Sequence, residues 1–150
     1  MYIWKTGSLV TDIKNDDVGP KEWKKYYLAL SIFFTLAIYL TALAPRENMA
    51  ALLIEAITAV GILIFGVSIT YQSNKGDMGV DYISRITALS FPITIKLFLV
   101  SLLGGVLIGV LSEAVSTSEA SMEWMMVGFS SVVQVVFFWR VNIHIKHINA

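Results

Sequence analysis

Four long apolar segments account for most of the chain and restrict it to a few folds. They cover residues 26–44, 49–71, 92–112 and 124–141. A helix rises about 1.5 Å per residue, so about 20 apolar residues cross the hydrocarbon core of a bilayer. Hydrophobic residues make up 56% of the chain, more than a soluble domain carries. The sequence therefore predicts an all-α polytopic membrane protein, with four transmembrane helices in a single domain, 1–150.

The positive charges give these spans an orientation. Of the eleven Lys and Arg residues, all except Arg46 fall on one predicted side of the membrane. Cytoplasmic loops are enriched in Lys and Arg. We therefore expect the N-terminal segment (1–19), the loop between the second and third spans, and the tail (142–150) to be cytoplasmic. The N-terminal segment is polar, unlike a cleavable signal, and too short to form a core of its own.

The predicted cytoplasmic loop contains the most distinctive polar string of the chain, N-K-G-D-M-G-V-D-Y-I-S-R, at 74–85. Its asparagine and glycines predict a turn, but the string lacks the residue order of a phosphate-binding loop. Asp81 is a candidate cap for a short helix with apolar residues on one side, which is typical of a helix lying in the membrane interface. We expect Pro92 to end that helix and to begin the third span.

Three polar side chains inside the spans are candidates for an ion or proton site or for helix contacts. Glu55 lies about two turns inside the second span with Thr58 beside it, and Gln134 lies near the middle of the fourth. A carboxylate in hydrocarbon usually faces protein or water. Glu55 is either a titrating cation site or a hydrogen-bonded contact between helices, and its position nearer the surface than the midplane favours the contact. For Gln134 we expect an interhelical hydrogen bond.

Small residues in the third span predict close helix packing. Ser101, Gly105 and Gly109 recur at four-residue intervals, which lets helix backbones approach each other in lipid. The pattern leaves open whether the partner is another span of this chain or a second copy. With only four spans and several such faces, we expect a homo-oligomer.

The tail places Arg140, His144 and His147 along one helical stripe. We expect this stripe to contact lipid headgroups or a cytoplasmic protein partner. Two histidines without a third or fourth ligand do not make a metal site, so we expect no metal. Lys96, one turn inside the third span, has a stem long enough to bring its ammonium to the headgroups.

No group of residues in the sequence indicates catalysis. There is no nucleophile–base pair or metal triad at a plausible spacing, so we expect no catalytic residues, no cofactor and no enzyme. Formal net charge is zero, which gives no indication of a nucleic-acid partner. Cysteine is absent, which excludes disulfides and thiolate chemistry.

Several motifs resemble those of a set of small uncharacterised bacterial four-span proteins. They are W-K-x-G-x-L-x-x-D-x-K at 4–14, K-K-Y-Y-L-A at 24–29, the loop string at 74–85 and L-S-F-P at 89–92. The resemblance covers most of the chain and implies a bacterial inner-membrane protein without an assigned activity. Small multidrug exporters have a similar size, but their essential glutamate lies in the first span, where this chain has no acidic residue.

The sequence thus favours a non-enzymatic membrane subunit that self-associates and works within a larger assembly that senses or perturbs the membrane. Its partners would be the lipid bilayer, further copies of itself and a cytoplasmic or membrane protein. The alternative is a small oligomeric ion- or proton-coupled transporter or channel, in which Glu55, Thr58 and Gln134 line the path.

Overall fold

The computed structural model describes residues 1–42 and 48–150. This part of the chain is helical and contains no strand, so the predicted all-α class is confirmed. The helices are α1 (Thr6–Lys14), α2 (Pro20–Ala42), α3 (Met49–Ser73), α4 (Tyr82–Ala114) and α5 (Glu119–Asn149), with a short 3₁₀ helix at Gly76–Met78.

Three helices within the described residues, α3, α4 and α5, are long and apolar enough to cross a membrane. They contain 25, 33 and 31 residues. At about 1.5 Å per residue, α4 is about 50 Å long and α5 about 46 Å, against about 30 Å of hydrocarbon. Both helices are therefore longer than the hydrocarbon core of a bilayer is thick. The first predicted span, 26–44, coincides with α2 up to residue 42, and its last two residues lie outside the described part. The four-span count and the orientation stay predictions.

The long helices form a row in the order α2, α4, α5, α3. Each packs on the next, but among the described residues no comparable interface joins α2 to α3. Two glycines bring α5 close to its neighbours. A Cβ atom at Gly66 would lie 2.2 Å from Cγ of Phe138, and one at Gly104 would lie 2.4 Å from Cζ of Phe129. Glycine at these two points lets an aromatic ring of α5 pack directly against the α3 and α4 backbones.

Helix α1 was not predicted from the sequence. Leu9, Val10 and Ile13 are buried on one side of it and pack against α4 and α5. The N-terminal segment has too few apolar residues for a core of its own, but it completes a core shared with two longer helices. The other members of this core cluster are Val18, Tyr26, Ala88, Leu89, Phe91, Ile93, Val141, Ile145 and Ile148.

The predicted interfacial helix is not confirmed as a separate element, because α4 continues through Pro92. A proline inside a helix loses the bond to the carbonyl four residues earlier, here that of Ala88, at a cost of about 3 kcal/mol. Leu89, Phe91 and Ile93, on either side of it, are all buried in the core. Burying each such side chain contributes about 1.5–3 kcal/mol. The core therefore stabilises the helix across the proline, and the predicted break is absent.

Candidate functional site

At one end of the molecule, three polar side chains join helix ends that are far apart in the sequence. Nη1 of Arg85 donates hydrogen bonds to Oδ1 of Asn74 and to Oδ1 of Asn149, each at 3.0 Å. Nδ2 of Asn149 donates to the carbonyl of Ser73 at 3.0 Å. Asn74 is fully buried. Arg85 lies in the first turn of α4, Asn74 follows α3 and Asn149 ends α5, so this polar cluster fixes the ends of three helices to one another.

The loop between α3 and α4 folds tightly around Asn74. Nδ2 of Asn74 donates to the carbonyl of Val80 at 3.2 Å, and the hydroxyl of Tyr71 donates to Oδ1 of Asp77 at 2.5 Å. Gly79 passes so close that a Cβ atom there would lie 1.7 Å from the carbonyl oxygen of Asn74. The loop is therefore an ordered turn that its own side-chain hydrogen bonds stabilise, in agreement with the predicted turn.

The predicted cap at the start of α4 is wrong. Asp81 has φ of 51°, in the left-handed region, and its side chain makes no capping hydrogen bond. A capping side chain normally sits on extended backbone, from which it reaches the amides of the first turn. Lys75 and Gly76 also have positive φ, at 70° and 55°. The tight loop thus places the backbone of Asp81 in the left-handed region, where its carboxylate does not cap the helix.

The N-terminus is held at the same end of the molecule. The ammonium of Met1 lies 3.0 Å from Oε2 of Glu22, and the backbone N–H of Tyr2 donates to the hydroxyl of Tyr26 at 2.6 Å. The bonds to Lys25 and to the N-terminal ammonium hold the pKa of Glu22 below its usual value. We call this end of the molecule the head: residues 1–26, the loop at 74–81, residues 82–93 of α4 and residues 141–149 of α5. It brings the N-terminal segment, the central loop and the tail together, and the side of the membrane on which it lies stays a prediction.

Glu55 forms a bond between two helices. The hydroxyl of Ser130, on α5, donates to Oε1 of Glu55 at 2.5 Å. The α3–α5 contact is the most extensive one between helices in the described part of the chain. This bond supports the interpretation of Glu55 as a helix contact.

Gln134 lies apart from that bond, in an apolar cleft of about 450 Å³ between α2 and α3. Phe33, Leu63 and Ser101 are among its other lining residues, whereas Glu55 and Thr58 do not line it. Oε1 of Gln134 is buried and has no hydrogen-bond partner among the described residues. The expected interhelical bond is thus not made by this oxygen, and the three candidate path residues do not share this cleft.

The small residues of α4 differ in what they contact. Gly104, rather than Gly105, is the point of close approach to α5. A Cβ atom at Gly105 would meet only the end of Met126, at 3.9 Å, and one at Gly109 would meet nothing within 4 Å. Close packing of Gly109 against a second copy of the chain stays a prediction.

Of the tail residues, Arg140 and His144 line a second cavity, of about 430 Å³, which we call the cationic cavity. His147 is exposed and is not part of its lining. Lys96 and Lys5 also line it, and Nζ of Lys96 donates to Oγ1 of Thr6 at 2.7 Å. Within the described residues, no three His, Asp or Glu side chains lie together as metal ligands would.

The sequence indicated neither the polar cluster nor the role of Gly79. The available signals were local: two glycines within the loop string and an asparagine one residue before the end of the chain. They identify a turn and a polar terminus, but not that Arg85 binds a residue 64 positions away.

Comparisons with known proteins give no family for this chain. No protein-family model matches it, and no curated protein or solved structure is significantly similar to it. Its function is therefore argued from the head, the spans and the cationic cavity.

Proposed function

We propose that this chain is a non-enzymatic subunit of a bacterial inner membrane, with four spans and both termini in the cytoplasm. The spans hold the head at the cytoplasmic face, the chain self-associates in lipid, and the head docks on a protein partner. In this account the larger assembly senses or perturbs the membrane. The location of the packed core is the observation that carries the proposal.

The core lies in the head rather than in the middle of the apolar helices. In the most apolar windows of α3, α4 and α5, only 6%, 6% and 11% of the residues are buried. Lipid is as apolar as these side chains, so spans need little burial to be stable there. The buried cluster instead joins α1, the first part of α4 and the last part of α5. A membrane subunit that presents a rigid cytoplasmic surface would be built in this way.

The spacing of charges supports this placement of the head. Lys96 and Ser112 on α4 are 16 residues apart, as are Trp124 and Arg140 on α5, which corresponds to about 24 Å. Lys96 and Arg140 therefore lie at the cytoplasmic edge of the hydrocarbon in this placement, because their long side chains can extend towards the headgroups. Arg85 precedes Lys96 by 11 residues on α4, which places it about 16 Å beyond that edge on the cytoplasmic side.

An exposed apolar surface on the outer part of the head supports docking on a protein. Met78, Val80 and Ile83 are 88%, 61% and 72% exposed. Since this surface lies beyond the inner edge of the proposed membrane, lipid does not cover it. Three exposed apolar side chains within six residues at such a place favour a protein interface.

The transporter alternative has less support. Glu55 is bonded to Ser130 within the α3–α5 contact, and it does not line the cleft that holds Gln134. That cleft lies between α2 and α3 and, by its apolar lining, resembles a lipid-facing groove more than a water-filled path.

The proposal predicts two or more copies per particle when the protein is extracted in native lipid, counted by photobleaching of a fluorescent fusion. Gly109→Leu should shift the particles towards monomers, because the Cβ position of Gly109 has nothing within 4 Å in this chain, whereas a leucine there would separate two packed helices. Gly61→Leu is the matched control, since Gly61 on α3 also has nothing within 4 Å. Monomers of the wild-type protein in native lipid would contradict self-association.

A further inference from the structure

The cationic cavity combines apolar and positively charged side chains. Leu97 and Val100 of α4 and Val136 of α5 contribute apolar surface, while Lys96 and Arg140, from the same two helices, contribute charge. The start of α1 and the two residues before it close another side of the cavity, with Trp4, Lys5, Thr6 and Gly7 in its lining. A molecule that fills this space would meet hydrocarbon and cations at once.

No carboxylate balances these cations. No Asp or Glu lines the cavity, and the ion pairs found among the described residues both use Glu22. The partner of Lys96 is the neutral hydroxyl of Thr6. Lys96 and Arg140 line the same cavity, so their like charges repel each other. Like charges gathered at a partly buried site are stabilised by an anion between them.

The depth of the cavity restricts what that anion can be. Lys96 and Arg140 lie at the inner edge of the hydrocarbon in the proposed placement, which is where lipid phosphates begin. Trp4 is 60% exposed at the mouth of the cavity, and tryptophan favours this level of a bilayer. A free inorganic anion would use the cations but leave the apolar wall exposed, whereas a lipid uses both.

We propose that the cationic cavity binds the phosphate headgroup of an anionic membrane lipid, with an acyl chain lying along Leu97, Val100 and Val136. This inference rests on the membrane placement in the proposed function and gives that function a ligand. The bound phosphate would lie between Lys96, Arg140 and Lys5. Because Lys5 precedes α1 and the other two cations lie on α4 and α5, the lipid would fasten α1 to the rest of the head. The packing of the head would then depend on the anionic lipid content of the membrane.

The test uses the full chain in mixed micelles to which lipids with brominated acyl chains are added. Bromine quenches nearby tryptophan, and the Trp4 signal is the difference between the wild-type protein and Trp4→Phe. Phosphatidylglycerol should quench Trp4 at a much lower mole fraction than phosphatidylcholine. In the double variant Lys96→Gln/Arg140→Gln the apparent affinity for phosphatidylglycerol should fall about 25-fold, since each basic side chain contributes a factor of about five.

The control variant is Lys24→Gln/Lys146→Gln, which removes two exposed cations outside the cavity and should keep the wild-type affinity. Equal quenching of the wild-type protein by the two lipids would overturn the proposal, and this comparison holds even if the double variant does not fold. An equal loss in the control would also overturn it. Displacement of the lipid by excess inorganic phosphate would assign the cavity to a free anion instead. These outcomes leave the proposed function standing, whereas a protein that stays dispersed without any amphiphile would contradict the membrane placement itself.

Discussion

Replacing Gly79 with alanine is expected to destabilise the head by about 2–3 kcal/mol. The new Cβ atom would lie 1.7 Å from the carbonyl oxygen and 2.6 Å from Nδ2 of Asn74. Because the first of these atoms belongs to the backbone, the loop itself has to move. That movement would break the bond from Asn74 to Val80 and displace Asn74 from Arg85. The midpoint of SDS-induced unfolding, followed by circular dichroism, measures the effect.

The matched control is Gly19→Ala, in the linker between α1 and α2. Gly19 has nothing within 4 Å of its Cβ position and no positive φ, so alanine there should leave the unfolding midpoint nearly unchanged. If Gly79→Ala unfolded at the same SDS fraction as Gly19→Ala, the close approach of Gly79 to Asn74 would be wrong.

The second large effect is expected at Arg85. Arg85→Met keeps a long apolar stem but removes the donor to the side-chain oxygens of Asn74 and Asn149. Oδ1 of Asn149 is then left unpaired, and Oδ1 of Asn74 keeps only a longer bond, at 3.4 Å, from Nδ2 of Asn149. A buried acceptor left unpaired costs about 1–3 kcal/mol. Since Asn74 is fully buried and Asn149 retains its bond to Ser73, we expect a total loss of about 2–4 kcal/mol. Hydrogen exchange should then increase in the last turns of α5 and at the start of α4, ahead of the rest of the chain.

Lys146→Met is the charge-matched control, since Lys146 is exposed near the same end of α5. A double-mutant cycle between Arg85→Met and Asn149→Leu isolates their interaction. Strict additivity of the two effects, or an equal loss in the lysine control, would show that the polar cluster does not stabilise the head.

The long apolar helices α3, α4 and α5 were predictable from the sequence because an apolar run of about 20 residues is typical of a helix that can cross a membrane and rare elsewhere. Pro20 begins α2, since its missing N–H is not needed at a first helical position. The interruption predicted at Pro92 failed for a different reason. The local rule accounts for one lost hydrogen bond, whereas the outcome depends on the buried core, which Phe91 and Ile93 share with residues of α1. That packing is tertiary, and the residues next to Pro92 in the sequence do not indicate it.

The candidate site was predictable only in part. Arg140 and His144 were recognised because basic residues at helical spacing, at the end of a span, favour contact with lipid headgroups. Their association with Lys96 and Thr6 depends on α1 docking, which the polar N-terminal segment did not suggest. Gly104 and Gly105 are adjacent, and only the rotation of α4 decides which of them faces Phe129. The periodic pattern pointed to Gly105, and the contact is made by Gly104.

In the proposed topology, lipid surrounds the apolar helices and the head lies on the cytoplasmic side of the membrane. The absence of cysteine allows single cysteines to report it directly: Met78→Cys in the central loop, Ala150→Cys at the C-terminus, and Glu119→Cys at the opposite end of α5. In intact cells, a membrane-impermeant maleimide should label Glu119→Cys alone, and Met78→Cys and Ala150→Cys should react only after permeabilisation. Labelling of Met78→Cys or Ala150→Cys in intact cells, with Glu119→Cys protected, would contradict the account.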